Sequence, residues 1–134
     1  MIEALLAFAF LLQSETLGTQ KDGVVHLDAR EAAQLLEQQP EVQVLDVRTE
    51  GEFEEGHIAG AAQINYLAPN FKAQARRLDM SKPYLVHCRS GHRSSRAVRV
   101  LKELGADTIY HLDGGILAWR EAGLPLTQPK EAKP

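Results

Sequence analysis

The stretch from residue 84 to residue 104 constrains the fold most, because a buried strand leads through a short turn into an amphipathic helix. Tyr84-Leu85-Val86 is an apolar run that predicts a strand, and apolar side chains recur at helical spacing over residues 96–104. Cys88, the only cysteine of the chain, lies in the turn between them. A strand that ends beneath the start of a helix is a building unit of α/β proteins with a parallel sheet.

Strand and helix signals alternate in the same way along the rest of the chain. Further strands are predicted over residues 24–27, 42–47, 62–65 and 108–112, and further helices over residues 28–38, 71–78 and 116–122. The alternation predicts one α/β domain over residues 21–128, with a mostly parallel, five-stranded sheet between helices on both faces. Residues 129–134 are expected to form a frayed tail.

Composition excludes several classes of protein. The chain has 134 residues, which suffice for one domain, and 44% hydrophobic residues are ordinary for a globular protein. The formal net charge of −3 argues against nucleic acid as the main partner. A single cysteine excludes an intrachain disulfide, and the scattered histidines show no spacing typical of a zinc site. Neither a metal nor another cofactor is expected.

The segment formed by residues 1–20 opens with an apolar run, Ala4–Leu12, which is too short to span a bilayer. Such a run is typical of a helix that docks on the domain or on a second subunit, and the latter would give a homodimer. Its length also fits the hydrophobic region of an export signal, although Met1-Ile2-Glu3 carries no Lys or Arg. The first interpretation favours a cytoplasmic protein, and the second a periplasmic or secreted one.

Cys88 is the candidate nucleophile. It lies at the carboxyl end of a predicted strand, where ligands bind in open α/β sheets. Free backbone N–H groups and the positive end of the helix dipole gather at the start of the following helix and favour an anion. These surroundings lower the pKa of a thiol, so Cys88 is predicted to react as a thiolate near neutral pH.

The cysteine loop, residues 88–94, is predicted to bind the substrate. Gly91 allows a positive φ, so the backbone N–H groups of the loop can surround an anion. Arg89 and Arg93 suit an oxyanion such as a sulfonate. The remaining candidates are two serines and a histidine, Ser90, His92 and Ser94. Ser94 is open to two interpretations, as a helix cap or as a hydrogen-bond donor to the sulfur, and His92 is expected to shape the rim rather than to act as a base.

Three segments, in this order, resemble the signatures of the single-domain rhodaneses. They are residues 44–48 with 52–53 and 56–61, then residues 87–94, and then residues 112–115 with Trp119, Gly123 and Pro125. The resemblance covers the greater part of the chain. It implies a three-layer rhodanese-like domain whose five-stranded parallel sheet lies between helices.

The same resemblance implies a thiosulfate sulfurtransferase that works through a persulfide on Cys88. Its partners would be a small anionic donor, such as thiosulfate or a persulfide, and an acceptor, which is cyanide, a thiol or a protein that receives the sulfur. Four polar residues resemble the positions that support the site's loops in this family: Asp46, Arg48, Glu52 and His57.

Two alternatives share this architecture. Related phosphatases and arsenate reductases carry a Cys-x5-Arg loop, whereas here the sixth residue after Cys88 is Ser94 and the arginine is the fifth, Arg93. The shorter loop suits one sulfur atom better than a phosphate, so the spacing favours sulfur transfer. The other alternative is a module that carries a persulfide or binds a partner protein with little turnover of its own, because the cysteine would serve both roles.

Overall fold

A six-stranded sheet forms the middle layer of the computed structural model, which describes residues 17–128. Its strands are β1 (Thr19–Lys21), β2 (Val24–Leu27), β3 (Gln43–Asp46), β4 (Ala62–Gln63), β5 (Pro83–His87) and β6 (Thr108–Leu112). Their order across the sheet is β1-β2-β6-β5-β3-β4, and every neighbouring pair except β1–β2 is parallel. The α/β class and the mostly parallel sheet are therefore confirmed.

The sheet has six strands rather than the five that the sequence predicted, because β1 has no strand-like sequence pattern. All three residues of β1 are exposed, so the strand has no apolar alternation to recognise. A two-residue turn joins it to β2, and both turn residues, Asp22 and Gly23, have positive φ, at 54° and 76°. Asp-Gly is a common sequence for such a hairpin turn, and this dipeptide was the available signal. β1 also crosses the expected boundary between residues 20 and 21.

Within residues 17–128, five helices cover the two faces of the sheet. They are α1 (Ala29–Gln38), α2 (Glu50–Glu55), α3 (Phe71–Ala75), α4 (His92–Glu103) and α5 (Gly115–Glu121). The sequence pattern did not predict helix α2, because its acidic, glycine-containing segment has no buried residue. The capping box of Thr49 and Glu52 stabilises its start. Helix α3 ends three residues earlier than predicted, and α4 begins four residues earlier because its polar first turn carries little apolar signal.

The hydrophobic core lies on both faces of the sheet. On one face Ala97 and Leu101 of α4 pack with Val86 of β5, and on the other Leu35 of α1 and Trp119 of α5 pack with neighbouring strand residues. Helices on both faces are therefore confirmed, and Trp119 belongs to the core.

Parallel strands bring their carboxyl ends to one edge of the sheet. Because β5 lies between β3 and β6, Cys88 is flanked by the loop after β3 and by the segment after β6. Within residues 17–128 there is no helix with the length and apolar character needed to cross a bilayer. The apolar run Ala4–Leu12 and the tail of residues 129–134 lie outside the described residues, so the expectations for both stay predictions.

Candidate active site

Cys88 occupies the first position after β5, four residues before α4 begins. Its residue surface is 1% exposed, and its carbonyl oxygen accepts a hydrogen bond from the N–H of Ile116, 2.9 Å away. The backbone of the cysteine loop lies so close to α5 that a Cβ at Gly115 would collide with the carbonyl oxygen of Arg89. The loop is therefore fixed at the carboxyl edge of the sheet, where the sequence predicted it.

The sulfur of Cys88 accepts two hydrogen bonds from its own loop. The N–H of Gly91 lies 3.1 Å from Sγ, and the hydroxyl of Ser94 lies 3.2 Å from it. Gly91 reaches this position with a φ of 117°, which L side chains rarely adopt. Burial raises the pKa of Cys88, but the hydrogen bonds from Ser94, Gly91 and Ser90 together hold that pKa below its ordinary value.

The remaining candidates of the loop divide between its rim and an ion pair. Arg89, Ser90 and His92 are exposed at the rim. Arg93, which was expected to hold a sulfonate, instead forms a bidentate ion pair with Glu52, with N–O distances of 2.7 and 3.0 Å. Hydrogen bonding from Arg93 lowers the pKa of Glu52 to about 2. Arg93 thus connects the cysteine loop to α2. Of the two arginines in the loop, Arg89 is the exposed one.

Three of the four predicted supporting residues, located at the end of β3 and in the loop after it, form a buried ion pair and a stacked pair. Arg48 donates to both carboxylate oxygens of Asp46, with a shortest N–O distance of 2.7 Å, and both side chains are almost fully buried. Arg48 also donates to the carbonyl oxygens of Glu52 and Gly56, so it closes the loop that contains α2. His57 stacks on a neighbouring aromatic ring and bonds to a backbone carbonyl of α2.

His87, immediately before the nucleophile, is a buried histidine to which the sequence assigned no role. Its Nδ1 lies 3.0 Å from the carbonyl oxygen of Cys88, and its Nε2 has no hydrogen-bond partner among the described residues. Nε2 lies 3.5 Å from a carboxylate oxygen of Asp46. Burial lowers the pKa of His87 more than the nearby carboxylate raises it, which favours a neutral ring.

A model of the rhodanese-like domain family matches residues 28–122. The chain belongs to the rhodanese-like domain family. The thiosulfate sulfurtransferase GlpE of Shewanella oneidensis is 41% identical over 99 residues, which cover 72% of this chain and 93% of that protein. An uncharacterized Synechocystis protein is 38% identical over 106 residues; these cover 78% of this chain, which spans 57% of that protein's length.

The fold agrees with that membership. The crystal structure of a rhodanese-related protein from Thermoplasma volcanium is similar with a TM-score of 0.66 at 33% identity, covering 76% of this chain and 96% of that one. The resemblance of the three sequence signatures to rhodaneses is therefore confirmed.

Sequence reasoning missed three residues of this rhodanese-like site. His111, at 4% exposure, places Nε2 2.7 Å from the hydroxyl of Ser94 and Nδ1 2.6 Å from a carboxylate oxygen of Asp113. The same oxygen lies 2.9 Å from Nδ1 of His26. His111 is paired with Val86 in the β5–β6 register, so the strand order was the signal that would have placed it beside the cysteine loop.

The cluster of His26, His111 and Asp113 brings three potential metal-ligand atoms within 4.8 Å of one another. Nδ1 of His111 is only 2.6 Å from the carboxylate oxygen. If a zinc ion were bound about 2.0–2.1 Å from both atoms, the N–Zn–O angle would be about 80°, well below the tetrahedral value. Hydrogen bonding accounts for this geometry better than metal binding. The expectation that the site needs no metal stays a prediction.

Proposed function

We propose that this chain is a sulfurtransferase that accepts a sulfane sulfur from thiosulfate on Cys88 and passes it to cyanide or a thiol. One observation carries the proposal: the sulfur of Cys88 accepts hydrogen bonds from the N–H of Gly91 and the hydroxyl of Ser94, and its pKa is lowered. A cysteine held in this way is a thiolate nucleophile rather than an inert core residue. The name of the Shewanella oneidensis relative supports thiosulfate as the donor.

In the first half-reaction the thiolate of Cys88 attacks the outer sulfur of thiosulfate. A new S–S bond forms on Cys88 while the S–S bond of thiosulfate breaks, and the bonding electrons leave with sulfite. The product is an anionic persulfide, so the total charge is unchanged. The backbone N–H groups around Gly91 can stabilise the persulfide as they stabilise the thiolate, because they surround the same small volume.

In the second half-reaction cyanide or a thiolate attacks the outer sulfur of the persulfide. The bond between the two sulfur atoms breaks, and Cys88 leaves as a thiolate. The hydrogen bonds from Ser94 and Gly91 stabilise this leaving group, so the same donors assist both half-reactions. Neither step requires a proton to be removed by the exposed His92.

The sulfonate end of thiosulfate needs a cation at the mouth of the site. Arg89 is exposed beside the nucleophile, whereas Arg93 is held by Glu52. We assign the recognition of the donor's oxygens to Arg89 and the positioning of the loop to Arg93. The pairing of Arg93 with α2 also weighs against phosphatase chemistry, in which the loop arginine would have to reach across the oxygens of a phosphoryl group.

Steady-state formation of thiocyanate from thiosulfate and excess cyanide tests the proposal. The wild-type chain is expected to turn over many times, and Cys88→Ser is expected to fall to the uncatalysed rate with its fold intact. A chain that transfers one sulfur and then stops would instead be a persulfide carrier, the alternative that shares this cysteine. Hydrolysis of an aryl phosphate at a comparable rate would contradict the proposal.

A further inference from the structure

A continuous line of polar contacts leads from the nucleophile through the sheet edge to a carboxylate. Sγ of Cys88 lies 3.2 Å from the hydroxyl of Ser94, this hydroxyl lies 2.7 Å from Nε2 of His111, and Nδ1 of His111 lies 2.6 Å from Asp113. Ser94 is 0% exposed and His111 4% exposed. We call these four residues the relay: Ser94 lies on α4 and His111 on β6, while Cys88 and Asp113 directly follow β5 and β6, which are neighbours in the sheet.

The single proton of the Ser94 hydroxyl makes the relay sensitive to the charge of His111. When the ring is neutral, the carboxylate of Asp113 retains the proton on Nδ1, so Nε2 is bare and accepts the proton of Ser94. Ser94 then cannot donate to the sulfur. When the ring is protonated, Nε2 donates to Ser94 instead, and the hydroxyl proton is free to turn to Cys88 or to the Gly91 carbonyl oxygen, each 3.2 Å away. The thiolate is the stronger acceptor of the two because it is charged.

We propose that His111 and Asp113 are positioning residues that couple the ionisation of Cys88 to the protonation of His111 through Ser94. The S–H bond of Cys88 breaks as its proton passes to Ser94 Oγ, while the Ser94 proton passes to Nε2 of His111. The result is a thiolate that accepts a hydrogen bond from Ser94 and an imidazolium that is held by Asp113. No co-reactant is needed, and the inference rests on Cys88 being the nucleophile of the proposed function.

Asp113 is suited to its part in the relay. Burial raises the pKa of Asp113, but hydrogen bonds from His26 and His111 lower it by more than burial raises it. The carboxyl group therefore stays ionised near neutral pH. Its side chain is 54% exposed, yet the two ring nitrogens hold one oxygen in place. His26 thereby fixes the orientation of Asp113 without contacting Ser94 or the sulfur.

Other charges near His111 act on the same equilibrium. Besides Cys88 and Asp113, the titratable or charged groups near the ring are Lys21, Asp22, His26, Asp28, Glu31, His87, Arg99 and Lys102. The three cations disfavour an imidazolium, but they are exposed and therefore screened by water and salt. Asp113 favours the imidazolium through direct contact, and the carboxylates of Asp22, Asp28 and Glu31 act in the same direction.

Alkylation of Cys88 by iodoacetamide across pH, with EDTA present, tests the coupling without any need for sulfur transfer. In His111→Gln the thiolate of Cys88 loses the neighbouring imidazolium. We therefore expect alkylation near pH 6–7 to be about tenfold slower than in the wild type, which corresponds to a rise of about one unit in the pKa of Cys88. Near pH 9–10 the two rates should be equal. Asp113→Asn is expected to shift the profile in the same direction. A purely structural role of His111 would leave the two pH profiles parallel, and that result would overturn the proposal.

A reciprocal measurement keeps the test decisive where a His111 variant does not fold. NMR titration of the His111 ring is compared between the wild type and Cys88→Ser, which keeps Ser94, His111 and Asp113 but removes the thiolate. Because coupled sites influence one another equally, loss of the thiolate should change the pH profile of the His111 ring signals by about as much as His111→Gln changes the pH profile of Cys88 alkylation. An unchanged His111 titration would refute the coupling. Failure of the proposed function would appear separately, as absence of thiocyanate formation.

Discussion

On the side of β3 the cysteine loop is held by charges that stay fixed near neutral pH, whereas on the side of β6 it is held by titratable groups. The first side has the ion pairs of Arg48 with Asp46 and of Arg93 with Glu52. The second side has Ser94 bonded to His111. The difference indicates a division of labour, in which permanent charges set the shape of the loop and the histidine sets the protonation of the sulfur.

The two ion pairs themselves differ in their surroundings. Asp46 and Arg48 are 0% and 3% exposed in their side chains, whereas Glu52 and Arg93 are 27% and 21% exposed. Removing one partner of a buried pair leaves a charge without compensation, while a pair near the surface contributes little because water screens it.

The largest effect is expected on stability, from breaking the buried pair. Arg48→Ala should lower the free energy of unfolding by about 3–5 kcal/mol, because Asp46 would remain buried and unpaired. Urea denaturation measures the loss. Arg30→Ala, at an exposed position of α1, is the matched control and should change stability by about 0.5 kcal/mol or less. A loss of similar size for both variants would remove the distinction between buried and exposed charges.

The next largest effect is expected on the reactivity of the thiol. Ser94→Ala removes a hydrogen bond to the thiolate and should raise the pKa of Cys88 by about one to two units. Ser95→Ala is the control, since both hydroxyls lie within hydrogen-bond distance of the Gly91 carbonyl oxygen but only Ser94 contacts the sulfur. The pH profile of alkylation should move for the first variant alone, and equal profiles would show that the hydroxyl does not act on the sulfur.

A smaller effect is expected on the use of different donors. Arg89→Ala should raise KM for thiosulfate several-fold, on the order of 1 kcal/mol for an exposed cation, and spare a persulfide donor without a charged end. Arg93→Ala should reduce transfer from both donors by a similar factor, because Arg93 positions the loop through Glu52. If Arg93→Ala were selective for thiosulfate and Arg89→Ala were not, the two assignments would have to be exchanged.

The smallest effect is expected for the exposed pair, and it depends on pH. The pKa of Glu52 is lowered to about 2 by Arg93, so the pair stabilises the fold above the unfolded value near 4.5 and this contribution is lost as pH falls toward 2. The difference in unfolding free energy between wild type and Glu52→Gln should therefore shrink over that interval. Glu54→Gln, exposed on the same helix, should give no such pH dependence.

Local pattern was sufficient to place the nucleophile and the elements next to it. The apolar run before Cys88 and the helical spacing after it describe one βα unit, so both the strand and the direction of the helix followed from neighbouring residues. The helix over residues 28–38 was also predicted, and a capping box of Asp28 and Glu31 stabilises its start.

Contacts between distant parts of the chain could not be predicted in this way. Glu52 and Arg93 are separated by 41 positions, and His26 and Asp113 by 87. These pairs meet only because the sheet places β2, β6, β5 and β3 side by side in that order. Strand order depends on packing of the whole domain rather than on local periodicity, which is why the partners of the cysteine loop emerged only from the structure.

Intact-mass spectrometry after incubation with thiosulfate tests the central claim most directly. The wild-type chain is expected to gain the mass of one sulfur atom, located on Cys88 by peptide mapping, and to lose it again on addition of cyanide. Cys88→Ser should gain nothing under the same conditions. A wild-type chain that folds but acquires no sulfur, or that acquires it equally when Cys88 is replaced, would contradict the assignment of Cys88 as the carrier of a persulfide.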